Sequence, residues 1–158
     1  MKRWSFLAIQ TMKIKAQKLH MTQIWQDTKV VPVTILKVKE NTLENLEVGK
    51  KVTISGKSKG RGFQGVVKRH GFHGMDKTHG TKHHERAPGS IGPTDPARTL
   101  PGRKMAGQMG QETVTIKNLE IIELRPNENT VYIKGAVPGM KGSNIEIRVK
   151  NKENQKDK

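Results

Sequence analysis

Five of the chain's six histidines crowd into KRHGFHGMDKTHGTKHHER, residues 68–86. His70-x-x-His73 and His79-x-x-x-His83, with His84 beside the second pair, have the spacing of metal ligands, and imidazole is also the usual general base. Zinc needs three or four donors converging on its charge. Here Lys68, Arg69, Lys77, Lys82 and Arg86 stand among the histidines and oppose any cation. The His79/His83 pair also requires a helix, and Gly80 sits inside it. Base or nucleophilic catalysis needs an orienting carboxylate and a nucleophile within reach. Asp76 and Glu85 supply carboxylates, but the chain has no cysteine and no serine in an elbow-like setting. The residue types fit RNA better, because imidazole stacks on bases and hydrogen-bonds to phosphate or the 2′-hydroxyl.

Two short motifs carry phosphate-binding formulas. GRGFQG (60–65) satisfies G-x-G-x-x-G after a strand, with Glu85 twenty residues beyond its end. A dinucleotide site needs a helix opening at the third glycine within a βαβ unit. VVKRHGFHG follows instead, so no helix is expected there. GKS (56–58) has the end of a P-loop, but Lys51 stands where its first glycine belongs.

Both motifs lie in Gly56–Gly110, which holds twelve of the sixteen glycines and eleven Lys and Arg against three acidic residues. Backbone without Cβ can approach phosphate closely, and its N–H groups can form anion nests. Arginine binds phosphate bidentately, and lysine acts as a point charge. The candidate RNA contacts are Lys57, Lys59, Arg61, Lys68, Arg69, His70, His79, Arg86, Arg98, Arg103 and Lys104. Phe63 and Phe72 could stack on bases or pin the segment to the rest of the chain. Apolar residues here are too sparse to offset the ordering entropy, so the segment is expected to take its structure from a partner.

The whole chain points the same way. Its 158 residues suit one modest domain, and 30 Lys and Arg against 14 Asp and Glu give a net charge of +16. Self-repulsion of that size calls for a polyanion, with nucleic acid ahead of an anionic membrane surface. The start, MKRWSFLAIQTMKIK, has an apolar patch too short for a signal-peptide core or a membrane span, so a poorly ordered leader is expected over 1–13.

The flanking segments must position the basic one. TQIW (22–25), KVVPVTILKV (29–38) and KVTIS (51–55) read as strands before it. VTIKNLEIIEL (114–124), TVYIKGAV (130–137) and IEIRVK (145–150) read as strands after it, joined by turns at RPNENT (125–130) and PGMKGSN (138–144). The fold class is therefore mainly β, a small barrel or sandwich over 14–55 and 111–150, with a non-globular arm over 56–110. NKENQKDK (151–158) reads as a disordered tail.

GKSKGRGFQGVVKRHGF (56–72), THG (78–80), RAPGSIG (86–92), GRKMAGQMG (102–110), VTIKNLEI (114–121) and IKGAVPG (133–139) resemble the bacterial-type L3 (uL3) family of large-subunit ribosomal proteins. KLHMTQIW (18–25) and VVPVTILKV (30–38) are similar to that family's first strands. The resemblance spans most of 14–149. It implies a Greek-key barrel of the translation-protein type whose arm threads large-subunit rRNA toward the peptidyl transferase center. It also implies early assembly, neighboring ribosomal proteins as partners, a cytoplasmic ribosomal location, and no enzymatic activity, cofactor, metal, membrane or small-molecule substrate. By motif the arm's tip, near the aminoacyl-tRNA entrance, is Lys104, Met105, Ala106, Gly107, Gln108, Met109 and Gly110, and Gln108 matches a glutamine methylated in some relatives. Three departures stand out. KENTLEN (39–45) replaces a longer insertion, PTDPARTLPG (93–102) is about a residue short, and position 85, often His in relatives, is Glu.

Overall fold

The computed structural model describes residues 11–39, 43 and 46–150. The leader expected over 1–13 lies outside them up to residue 10, as do the tail and most of KENTLEN. The strands run β1 (Thr11–Gln26), β2 (Lys29–Val38), β3 (Lys51–Lys57), β4 (Phe63–Gln64), β5 (Gly107–Gln108), β6 (Thr113–Arg125), β7 (Thr130–Lys134) and β8 (Asn144–Lys150). Six of them close an antiparallel barrel in the order β1-β2-β7-β6-β3-β8, while β4 and β5 pair with each other.

Alternation in the sequence builds this barrel. In β8, Ile145, Ile147 and Val149 are buried while Asn144, Glu146 and Arg148 face away from the core. Ile14, Leu36, Ile54, Ile121 and Ile133 meet them in one enclosed cluster. Burial of this kind contributes roughly 1.5–3 kcal/mol per large side chain. β2 is buried on both faces, with Leu36 and Val38 in the barrel core and Val31, Val33 and Ile35 packing with Tyr132 in a second cluster.

The expected strands fall inside the observed ones, with two differences. β1 reaches back to Thr11, pairing with β8 from Thr11↔Lys150 onward, so the ladder starts before the expected boundary at 14. Its inward phase is hidden in the sequence because it includes a lysine. Lys18 is buried, and its Nζ donates to the carbonyls of Val137 at 2.7 Å and Gly139 at 3.0 Å. Burial, and secondarily Lys59, hold its pKa below the ordinary lysine value. β7 ends at Lys134, short of the expected 137, because Gly135 takes φ 86. Its N–H donates to Pro32, and its carbonyl accepts from Thr34 Oγ1 at 2.6 Å.

Bulges sharpen the strand curvature that a six-stranded closure needs, between Lys18 and Met21 in β1, opposite β3 in β6, and near Ile121. Asn118 takes φ 60 within β6, a conformation asparagine tolerates better than most side chains. The expected RPNENT turn is a single 3₁₀ turn, Pro126–Glu128, closed by Asn129 at φ 52.

Candidate nucleic-acid interface

Residues Gly60–Gln111 form one compact unit, and the barrel strands belong to the other. β3 continues through Lys57, and the division falls after Lys59.

Within Gly60–Gln111 the two glycine-rich motifs are paired. Phe63 lies opposite Gln108 and Gln64 opposite Gly107 in the β4–β5 ribbon. Arg61 N–H donates to the Met109 carbonyl at 2.9 Å, and Met109 N–H donates to Gly62 at 3.0 Å. Thus GRGFQG and KMAGQMG, some forty residues apart in sequence, are one structural element.

The expectation that no helix follows GRGFQG is corrected. Val66–His70 forms a short helix, α1, entered from Gly65 in extended conformation and closed by Gly71 at φ 72. Two valines weakly disfavour a helix, but Val66 is 3% exposed, and burial overrides so small a propensity. The dinucleotide reading gains nothing, because α1 has five residues and β4 pairs antiparallel with β5.

α1 aims two expected RNA contacts at the Met105 carbonyl, in the segment expected to form the arm's tip. Arg69 Nη1 donates to the Met105 carbonyl at 2.7 Å, and His70 Nε2 reaches the same oxygen at 3.0 Å. A Cβ on residue 107 would stand 2.7 Å from that Nη1, so Gly107 leaves room for the guanidinium. The Met105 carbonyl was not legible as a partner, since nothing in KMAGQMG singles out one main-chain oxygen.

The other candidate cations are held less closely. Lys57, Lys59, Arg61, Lys68, Arg86, Arg98, Arg103 and Lys104 are exposed. Arg103 additionally donates to the Ser90 carbonyl. His73, His79, His83 and His84 are exposed, with His79 and His83 at φ 58 and 63 rather than on a helix. Among the described residues no three His, Asp or Glu side chains gather as metal ligands. Instead the histidine-dense segment closes on itself, as Met75 N–H donates to the Glu85 carbonyl at 3.0 Å. Gly74 is required there, since a Cβ would fall 1.9 Å from that oxygen. The departure at position 85 therefore falls on a residue whose main chain makes the contact. Phe63 is 76% exposed and free to stack, whereas Phe72 is half-buried with its ring 6.1 Å from that of His70. Gln108 is exposed, and its side-chain amide lies 3.4 Å from the Met109 carbonyl.

A closed six-stranded barrel whose sequence is interrupted by a cation-rich, glycine-rich unit is the architecture of a basic barrel protein with a second, inserted unit. The family model for ribosomal protein L3 matches residues 23–130. The chain is 55% identical over 107 residues to the large ribosomal subunit protein uL3 of Desulforapulum autotrophicum, covering 67% of this chain and 51% of that one. It is 51% identical over 107 residues to the uL3 of Chlorobium limicola, with the same shares covered. This chain belongs to the ribosomal protein L3 family. It spans about half the length of the curated relatives it matches.

Proposed function

We propose that the chain is a structural, non-enzymatic component of the large ribosomal subunit in the cytoplasm, bound to large-subunit rRNA and to neighboring ribosomal proteins. Its relatives are named as large-subunit proteins. The observation that carries the reading is Gly60–Gln111, a unit whose lysines and most of whose arginines face solvent and whose order comes from glycine turns and main-chain bonds. Exposed cations on such a backbone suit a partner made of phosphates, and contacts of this kind fix position rather than read sequence.

In this reading residues 56–110 act as an arm reaching toward the peptidyl transferase center, with Lys104–Gly110 at its tip, and the barrel joins early in subunit assembly. Arg61, Lys68, His79, Arg86, Arg98, Arg103 and Lys104 touch rRNA directly, as do Lys57 and Lys59 at the arm's root. Arg69 and His70 contribute chiefly by holding the tip's main chain. Gln108, exposed at the tip, is the position open to methylation.

Crosslinking followed by RNA sequencing tests this. The expected result is crosslinks from 60–111 to large-subunit rRNA, in protein that co-sediments with large subunits after a moderate salt wash. Protein found mainly in the free pool, or crosslinks dispersed over unrelated RNAs, would count against the reading and favour a free-standing RNA-binding module. Tightly held stoichiometric zinc after purification in chelator would overturn the reading of the histidines.

A further inference from the structure

The barrel wall carries a cationic face of its own, built by the outward phase of three neighboring strands. β1 presents Lys13, Lys15 and Gln17, β8 presents Asn144, Glu146 and Arg148, and β3 presents Thr53 and Lys57 with the buried Ser55 between them, while Ile14, Ala16, Ile145, Ile147, Val52 and Ile54 face the core. Register aligns them across the sheet. Lys15 stands opposite Glu146, which stands opposite Ser55, and Lys13 opposite Arg148, which stands opposite Thr53. Lys39 joins the face because its N–H donates to the Lys15 carbonyl at 3.1 Å.

Part of this face borders an open hollow of about 520 Å³ whose charged lining is Lys15, Lys39, Lys57 and Arg148 against Glu146. The carboxylate is already engaged, with Arg148 Nε at 2.7 Å and Lys13 Nζ at 3.9 Å. That arginine hydrogen bond holds the Glu146 carboxyl below the ordinary glutamate range. The rest of the lining is made of small or short side chains, Ala16, Gly56 and Ile145 beside Ser55, Thr113 and Asn144, and Ser55 Oγ lies 2.9 Å from Thr115 Oγ1. Among the described residues no aromatic side chain lines it, so no stacking surface is offered to a base.

We infer that this face, on β1, β8 and β3, is a second RNA-binding site that takes the sugar–phosphate backbone of an RNA helix. The inference rests on the RNA-binding reading above and adds a site outside residues 60–111. Lysines answer the phosphates, and the hydroxyl and amide groups suit 2′-hydroxyls, the combination by which RNA helices are recognised by shape. The barrel's apolar cluster of Val31, Val33, Ile35 and Tyr132 offers no such chemistry.

The test uses the full chain and a large-subunit rRNA transcript, with binding measured across a salt series. Lys15→Gln/Lys39→Gln should lower the slope of log K against log salt by about 1.4–1.8, two contacts' worth, and weaken binding on the order of tenfold near physiological salt. Glu146→Gln should act in the opposite sense and tighten binding. RNA should protect Lys15 and Lys39 from acylation and leave Lys134, paired with Glu120 at 3.3 Å, reactive. An unchanged slope and affinity in the double variant, with Arg103→Gln/Lys104→Gln still impaired, would overturn this inference and leave the proposed function standing. If the intact chain does not bind the transcript, both fall. Protection by an acidic peptide but not by RNA would give the face to a protein partner instead.

Discussion

The barrel and the Gly60–Gln111 unit are ordered by different means. In the barrel, Ile14, Ile54, Ile133 and Ile147 are almost wholly enclosed, and antiparallel ladders join every strand to its neighbors. In Gly60–Gln111, Val66 is the buried apolar residue among those described. Order there depends on a few bonds to main-chain groups, at the β4–β5 ribbon, at Met75–Glu85 and from the Arg69 side chain to the Met105 carbonyl. Spreading stability over a core makes the first region tolerant of any one polar change. Concentrating it in a few glycines and carbonyls makes the second sensitive to such changes, but it leaves the cations turned outward.

The contrast breaks most visibly in the core. Ile147→Ala should destabilise the barrel by about 3 kcal/mol through lost burial and a residual cavity. Urea unfolding followed by a barrel-specific signal would measure it, while amide exchange within 60–111 should stay as in the parent chain. A parallel loosening of both regions would show that their order is shared.

The reverse experiment is Gly74→Ala. The new Cβ meets the Glu85 carbonyl at 1.9 Å, and the residue must keep φ 79, so the 74–86 closure should open. A local cost of about 2 kcal/mol follows from the left-handed conformation and the lost bond. Limited proteolysis should cut faster between 74 and 86, with the barrel's unfolding midpoint unmoved.

The two regions also differed in how far they could be read from sequence. The barrel strands announced themselves, because KVVPVTILKV and IEIRVK carry β-branched residues at the period of a pleated sheet. β1 was only partly legible, since Lys18 occupies an inward position that an apolar residue normally marks. In Gly60–Gln111 the residue types pointed to RNA, but the partners did not show. The pairing of Phe63 with Gln108 spans forty-five positions and has no local signature, and α1 depends on the burial of Val66. The cationic wall was visible in principle as the outward phase of KIKAQK and NIEIRVK, yet charged residues there look like ordinary solvated surface.

Lys18 is where the barrel itself relies on a single polar group. Lys18→Met keeps the stem but strips the donor from two carbonyls, and should cost about 1–2 kcal/mol. The parent chain should also show a pH signature. A lysine held below its ordinary pKa of 10.5 binds fewer protons folded than unfolded, so the burial penalty is present at lower pH and is relieved as pH rises through the lowered value toward 10.5. Stability of the parent chain relative to Lys18→Met should therefore rise across that alkaline window. A difference that stays flat would mean the ammonium is solvated.

The smallest effect separates positioning from contact within Gly60–Gln111. Lys68 and Arg69 are adjacent cations on α1, but only Arg69 among the two donates to Met105, at 2.7 Å. If Lys68 touches phosphate, Lys68→Gln should reduce the salt slope of rRNA binding by roughly 0.7–0.9 and leave the tip's amide exchange unchanged. Arg69→Gln should do the opposite, losing a hydrogen bond of about 1 kcal/mol and speeding exchange at Met109, whose N–H is bonded to Gly62 at 3.0 Å. Arg69→Lys should rescue the charge but not the exchange, because an ammonium on a flexible stem does not reproduce the planar fork. Equal slope losses in Lys68→Gln and Arg69→Gln, with the tip unmoved in both, would make Arg69 a phosphate ligand and the Met105 bond incidental.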